Sequence, residues 1–252
     1  MTAGAASATA TGAPPAIEFE LPGARALFST RLGGVSPAPY ESLNLGILTG
    51  DEPDRVRDNR HRLAARAGLA PGDVAMGWQV HGAEVLEWES APENGGGYAQ
   101  PGTPLEKVDG HATDLAGLGL LVLVADCLPV ALAGDGRVAM LHCGWRGLAA
   151  GIVQRAVASF TEPPSAVVGP GIGSCCYEVG PEVLEAFSDL AGVADGRMLD
   201  LRAVAERKLH AAGVAGVGHV DLCTSCRADL FFSHRRDGPE TGRQAGMVWR
   251  MA

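Results

Sequence analysis

Residues 127–143 read CLPVALAGDGRVAMLHC, two apolar runs around Gly134-Asp135-Gly136. Such a pairing is a hairpin signal. Just before it, LGLLVLVAD (residues 118–126) is apolar without interruption, as in a strand buried on both faces. Working outward, IEFELP (17–22), ARALFSTR (24–31), VAMGWQVHG (74–82), AEVLEWES (83–90), SAVVGP (165–170), GHVDL (218–222) and GMVWR (246–250) read as further strands. VAMGWQVHG and AEVLEWES would form a pair. DEPDRVRDNRHRLAARAGL (51–69) reads as a helix, with acids and Pro53 at its start and Gly68 near its end. GLAAGIVQRAVASF (147–160), PEVLEAFSDL (181–190) and DLRAVAERKLHAAG (200–213) read as helices, and ENGGGYAQPGTP (93–104) as a surface loop. The expected fold is α/β: a single domain over residues 17–252, with a mixed, largely buried β-sheet flanked by helices.

Whole-chain properties narrow the function. The chain has 252 residues, 46% hydrophobic and 19% charged, an ordinary globular balance. A net charge of −9 argues against a nucleic-acid partner, because a phosphate backbone needs a basic face. The first 16 residues, MTAGAASATATGAPPA, carry no basic residue and no apolar core of the kind a secretory signal has, and read as a disordered tail. The apolar stretch 115–134 has the length of a membrane span, but Asp126, Cys127 and Pro129 interrupt it. No membrane partner is expected. Six cysteines are few for a disulfide scaffold, and a cytoplasmic protein with reduced thiols is expected.

The hairpin makes a geometric prediction. With Gly134-Asp135 as its two-residue loop, Cys127 stands directly opposite His142, their Cβ atoms about 5 Å apart. A thiolate and an imidazole at that spacing suit one zinc ion, although Pro129 could bulge the strand. Taken singly, a buried histidine is more often a hydrogen-bonded core residue, and a buried cysteine a small packed hydrophobe. His81, before Gly82 at the end of a strand, is placed to turn toward such a site, but spacing alone does not select it. Three protein ligands would leave the fourth position to water or substrate.

The remaining cysteines allow several readings. CTSC (Cys223, Cys226) has the spacing of half a zinc knuckle or of a redox pair. Cys175 and Cys176 could complete a four-cysteine site; packed structural thiols are the plainer reading. Cys143 should face away from His142 if both lie on one strand. Among the arginines, Arg60, Arg146, Arg235, Arg236 and Arg243 could hold a phosphate or carboxylate near an open metal site, or simply be solvated. Gly171-Ile172-Gly173 lacks the spacing of a dinucleotide loop.

Ten blocks occur in order: TRLGGVS, SLNLG, NRHRLA, QVHGAEV, DGHATD, ADCLPV, HCGWRGL, GPGIGSCCYEVG, DLCTSC and FFSHRRDG…TGRQAG. From about Phe28 to Trp249 the chain resembles the laccase-domain, polyphenol oxidoreductase-like family associated with purine nucleoside phosphorolysis. The resemblance implies a zinc-dependent monomeric enzyme that splits adenosine, inosine and S-methyl-5'-thioadenosine with phosphate and also deaminates adenosine. It implies that His81, Cys127 and His142 are the metal ligands and that Arg60 binds substrate or phosphate; Arg146 is a further substrate-binding candidate. Cys143 and His111 depart from the alanine and the apolar residue usual in the family. Asp126, beside Cys127, is the candidate for proton transfer, or else orients a ligand by hydrogen bonding.

Three rivals share these residues. One is a metal-free cysteine hydrolase with Cys127 as nucleophile and His142 as base. The second is a non-enzymatic metal- or partner-binding protein with a closed site. The third is a copper-dependent polyphenol oxidoreductase, copper being the alternative ion. Seven histidines without a His-x-His pair do not readily supply a three-copper cluster.

Overall fold

The computed structural model describes residues 16–251. The expected disordered tail lies outside the described residues, save Ala16, which opens the first strand. In chain order the strands are β1 (Ala16–Leu21), β2 (Ala24–Ser29), β3 (Val74–Ala75), β4 (Val85–Glu87), β5 (Gly110–Thr113), β6 (Gly119–Val124), β7 (Leu128–Gly134), β8 (Arg137–Cys143), β9 (Ser165–Val168), β10 (Ala194–Asp195), β11 (Met198–Leu199), β12 (Gly216–His219) and β13 (Gln244–Arg250). The helices are α1 (Pro53–Ala67), α2 (Gly96–Ala99), α3 (Trp145–Ala149), α4 (Ile152–Val157), α5 (Pro181–Glu185), α6 (Leu201–Ala211) and α7 (His234–Asp237). No helix among the described residues is long and apolar enough to cross a membrane.

The strands form three sheets where one was expected. One has the order β1-β2-β13-β6-β3, another β12-β9-β7-β8-β5-β4, and β10 pairs with β11 alone. Both large sheets are mixed: β3 runs parallel to β6, β4 to β5 and β12 to β9, and the other pairs are antiparallel. The supposed pair of VAMGWQVHG and AEVLEWES is thus split between sheets, with only residues 74–75 and 85–87 extended. Residues 76–82 belong to no strand; Trp78 instead exchanges backbone hydrogen bonds with Glu106 and Val108.

Period-two alternation explains the layering. Leu120, Val122 and Val124 of β6 meet Ala131, Ala133, Val138 and Met140 of the β7–β8 hairpin between the large sheets. Leu121 of β6 turns outward to Leu63 and Ala64 of α1. On the far side, Val130, Leu132, Ala139 and Leu141 pack against Leu148, Ile152, Val204 and Leu209 of α3, α4 and α6. The result is helix, sheet, sheet, helix, in four layers. Helix α1 starts and stops as its signals indicate, with Pro53 in its first turn and Gly68 left-handed at φ 73°. The helix expected over 147–160 is broken by Gly151 at φ 87°. The strand expected at 218–222 begins earlier, at Gly216. In the supposed surface loop 93–104, Tyr98 is fully buried and donates its hydroxyl to the Arg60 carbonyl at 2.7 Å.

The hairpin register also differs from expectation. Gly134 pairs with Arg137, so the loop is Asp135-Gly136, with φ of 54° and 71°. Positive φ at both central residues is the type I′ turn that Asp-Gly favours. His142 therefore faces Pro129, and Cys127 lies one residue beyond the ladder, where its opposite number is Gly144. Because the register moves by two residues, Cys127 and His142 stay on the same face.

The sheets approach closely where β7 meets β13. A methyl group on Gly246 would lie 2.5 Å from Cβ of Pro129 and 3.3 Å from Sδ of Met140. Gly246→Ala should lower the unfolding free energy in urea by about 1–3 kcal/mol through overpacking. Gly216→Ala, on an open edge strand with nothing within 4 Å of the new methyl, should leave it unchanged or raise it by up to about 1 kcal/mol. Equal effects would contradict the assigned sheet packing.

Candidate metal centre

Three soft or borderline donors converge at the edge of this sandwich. Cys127 sits between β6 and β7, His142 near the end of β8, and His81 in the turn after β3. Their ligand atoms lie within 4.8 Å of one another, and the two imidazoles meet edge to face with centroids 4.8 Å apart. His142 is buried, Cys127 half-buried and His81 exposed, so the group is open on the His81 side. One sulfur and two nitrogens fit zinc, and the same set also suits copper. Gly144, in HCGWRG, is where the chain must lack a side chain. A methyl there would stand 3.0 Å from Cys127 Sγ and 3.2 Å from His81 Cδ2.

A buried carboxylate organises the three. Asp109 accepts the backbone N–H groups of Val80, His81 and Gly82 at 3.0, 2.9 and 2.7 Å, and faces His142 Nδ1 at 2.7 Å. Its carbonyl accepts the His142 N–H at 2.7 Å. These bonds hold His81 at φ 60°, a left-handed conformation that costs a non-glycine residue roughly 1–2 kcal/mol. They also orient the His142 ring, with Nδ1 on Asp109 and Nε2 left as the nitrogen that an ion would take. Burial works to raise the Asp109 carboxyl, but the bonds from His142, Gly82 and Val80 bring it below its ordinary value. Burial likewise pushes the Cys127 thiol up, yet His142's charge and hydrogen bonds from His142 and His81 bring it down to about 6. For His142 burial works downward, and Cys127 and Asp109 raise it to about 9. A metal ion binding here would displace the proton these two groups share and take the thiolate and the neutral imidazole as ligands.

The triad opens into a cavity of about 680 Å³. Trp78 and Leu48 line it, 45% and 74% exposed, as do Gln79, His234, Arg60 and Arg243. Gln79 pairs its amide with the backbone of Leu123 at 2.7 and 2.8 Å, tying the His81 turn to β6. Arg60 is 1% exposed and gives Nε and Nη1 to the carbonyls of Leu45, Gly97 and Tyr98, so it holds the cavity wall together. Arg146 is exposed, lies over the Trp145 ring at 4.5 Å, and is not among the cavity-lining residues. Asp126 is held at both oxygens, by Thr224 Oγ1 at 2.6 Å and the Arg235 N–H at 2.8 Å. Cys143 points into the helix-side core, away from His142, as strand alternation expects. Buried His111 falls to about 4 and is neutral, accepting from Trp88 Nε1 at 3.2 Å. Sequence reasoning missed Asp109, although it opens the block DGHATD, and left Arg243 within a wider group.

Fold and site define a four-layer α/β protein with a candidate metal centre beside a large cavity. The family model for the multi-copper polyphenol oxidoreductase laccase matches residues 25–251, and the chain belongs to that family. The purine nucleoside phosphorylase YfiH of Escherichia coli (strain K12) is 39% identical over 240 residues, covering 90% of this chain and 94% of that protein. The purine nucleoside phosphorylase SCO2081 of Streptomyces coelicolor is 39% identical over 241 residues, covering 90% and 96%. The crystal structure of YlmD from Geobacillus stearothermophilus matches with a TM-score of 0.85 at 34% identity, covering 96% of this chain and 95% of that one. The family's multi-copper description does not fit the side chains present. Among the described residues, groups able to hold a metal are this triad and a set of four cysteines, neither with more than two imidazoles.

Asp109→Asn keeps the shape but replaces an acceptor oxygen with an N–H₂ group facing N–H donors. It should weaken metal binding about 10–100-fold in chelator competition. Unchanged affinity would show that Asp109 does not set the ligand geometry.

Proposed function

We propose that this chain is a zinc-dependent purine nucleoside phosphorylase, acting on adenosine, inosine and S-methyl-5'-thioadenosine, with adenosine deamination as a second activity. The observation that carries this is the shared cavity. An open three-donor centre, an exposed aromatic ring and a half-buried guanidinium all face one space large enough for a nucleoside and phosphate. The names of the relatives supply the substrate class.

In this reading the exposed Trp78 ring gives the purine a stacking surface, while Leu48 covers it from the opposite loop. Arg243 holds its Nη1 on the carbonyls of Thr241 and Gly242 at 2.9 Å each, which fixes its guanidinium at the cavity wall as a phosphate-binding group. Arg60 contributes Nη2, the nitrogen its structural bonds leave over. Zinc, when bound, supplies Lewis-acid polarisation and acidifies water toward neutrality, the chemistry that deamination needs. Asp109 keeps His142 in the ligating tautomer. Asp126 positions Cys127 rather than moving protons, since both its oxygens are already engaged. His234, the imidazole lining the cavity outside the triad, delivers the proton to the departing base.

Two other readings share these atoms. Cys127, His142 and Asp109 also form a nucleophile–base–orienter chain; a second imidazole at the sulfur favours an ion instead. The His₂Cys set equally accommodates copper, which would suit one-electron oxidation of phenols. Protein purified without added metal should release adenine from adenosine, and hypoxanthine from inosine, only when phosphate is present. His142→Ala should lose one equivalent of zinc and the turnover with it. Full phosphorolysis by metal-depleted protein would overturn the zinc reading, and copper with phenol oxidation in place of nucleoside turnover would favour the oxidoreductase.

A further inference from the structure

Outside the cavity, two loops bring the remaining four-cysteine constellation together. The loop after β9 carries Cys175 and Cys176; the loop after β12 carries Cys223 and Cys226. All four sulfurs lie within 4.8 Å of one another. Cys226 Sγ stands 3.5 Å from Cys175 Sγ and 3.4 Å from Cys176 Sγ. Four thiolates around one zinc at about 2.3 Å would sit roughly 3.8 Å apart, so small adjustments close a tetrahedron. The sulfurs are all free, and their spacings are well beyond the roughly 2.05 Å of a disulfide.

Backbone N–H groups are turned onto one of the sulfurs. The Gly173 N–H donates to Cys223 Sγ at 3.2 Å, and the Cys226 N–H also donates to that sulfur. Such bonds stabilise a thiolate. A methyl group on Gly173 would sit 3.2 Å from both Cys175 Sγ and Cys223 Cβ, inside the cluster. The two loops touch through a bridge between Gly171 and Cys223, and the Thr224 N–H donates to the Gly171 carbonyl at 3.0 Å. Neighbouring guanidiniums brace the same segments. Arg235 Nη1 binds the carbonyls of Cys176 and Glu178, and Arg236 Nη1 those of Thr224 and Ser225.

We propose that Cys175, Cys176, Cys223 and Cys226 form a closed tetrathiolate site for one zinc ion, separate from the His81–Cys127–His142 centre. Zinc suits it because four soft sulfur donors in tetrahedral array leave no open position, which is the arrangement of a structural site. Its task is to lock two loops that support the catalytic side from behind. Thr224, between two of the ligands, donates to Asp126 at 2.6 Å, and the Ile172 N–H donates to the Asp126 carbonyl at 3.0 Å. Asp126 adjoins Cys127. The site therefore holds one of the three donors of the open centre in place through two hydrogen bonds.

Metal analysis of the purified full chain tests this, with Cys226→Ser and His142→Ala beside the wild type. The wild type should hold about two zinc ions, and each variant about one. Cobalt substitution should show a sulfur-rich charge-transfer spectrum that survives His142→Ala and is lost in Cys226→Ser, together with a lower Tm for Cys226→Ser. Should Cys226→Ser fail to fold, zinc X-ray absorption on the wild type decides. About 2.5 sulfur neighbours per zinc supports the second site, and about one per zinc overturns it. Iron in the cluster, a disulfide among the four in freshly isolated protein, or equal zinc content in wild type and Cys226→Ser would also overturn it. Phosphorolysis enters none of these readouts, so failure of the activity assigned to the cavity would leave this site standing.

Discussion

The Asp109 carboxylate is the interaction on which the candidate centre depends. It is fully buried, and it gathers three N–H groups of the Val80–Gly82 turn and the imidazole of His142 into one network. Two ligands from distant parts of the chain are thereby referred to a single anion. His81 keeps an unfavourable left-handed backbone because three hydrogen bonds to a charged acceptor outweigh the cost. The turn carrying His81 is anchored further by Gln79 on β6 and by the backbone of Trp78, which bonds Glu106 and Val108. Removing the negative charge would release both histidines at once.

The scaffold brings Cys127 into the same network by simpler means. Strands β7 and β8 alternate, so residues of even separation along β8 share a face with the end of β7. Close sheet packing at Gly246 and Pro129 keeps that face against the other sheet, with the cavity opening at its edge. Loops behind Cys127 are tied to Asp126 through Thr224 and Arg235. Rigidity here comes from many polar contacts to backbone, which suits a centre that must keep one side open.

Long apolar periodicity made the core strands and α1 legible in the sequence: 118–126, 127–143 and 51–69 are all where their patterns placed them. The hairpin loop was misread by one residue, since Gly134-Asp135 and Asp135-Gly136 are both plausible turns and only the positive φ of Asp135 and Gly136 decides. The conclusion about Cys127 and His142 survived because that shift preserves strand face. Strands β3 and β4 are shorter than their apolar patterns suggest, because Met76 and Trp78 line a cavity instead of a sheet. Asp109 was hidden because a carboxylate binding backbone N–H groups across 27 to 29 residues leaves no local pattern. Arg60 carried no hint that carbonyls from two other segments would take most of its donors. The cysteine pairs at 175–176 and 223–226 could be counted in the sequence, but only the fold brings them together.

The most direct test of the account is diffraction at the zinc absorption edge from crystals of protein purified without added metal. An anomalous peak bonded to His81, Cys127 Sγ and His142 Nε2, with its remaining side toward Trp78 and Arg243 and Asp109 on His142 Nδ1, is the predicted result. No peak between these three side chains, or an ion closed off by a fourth protein ligand, would contradict it.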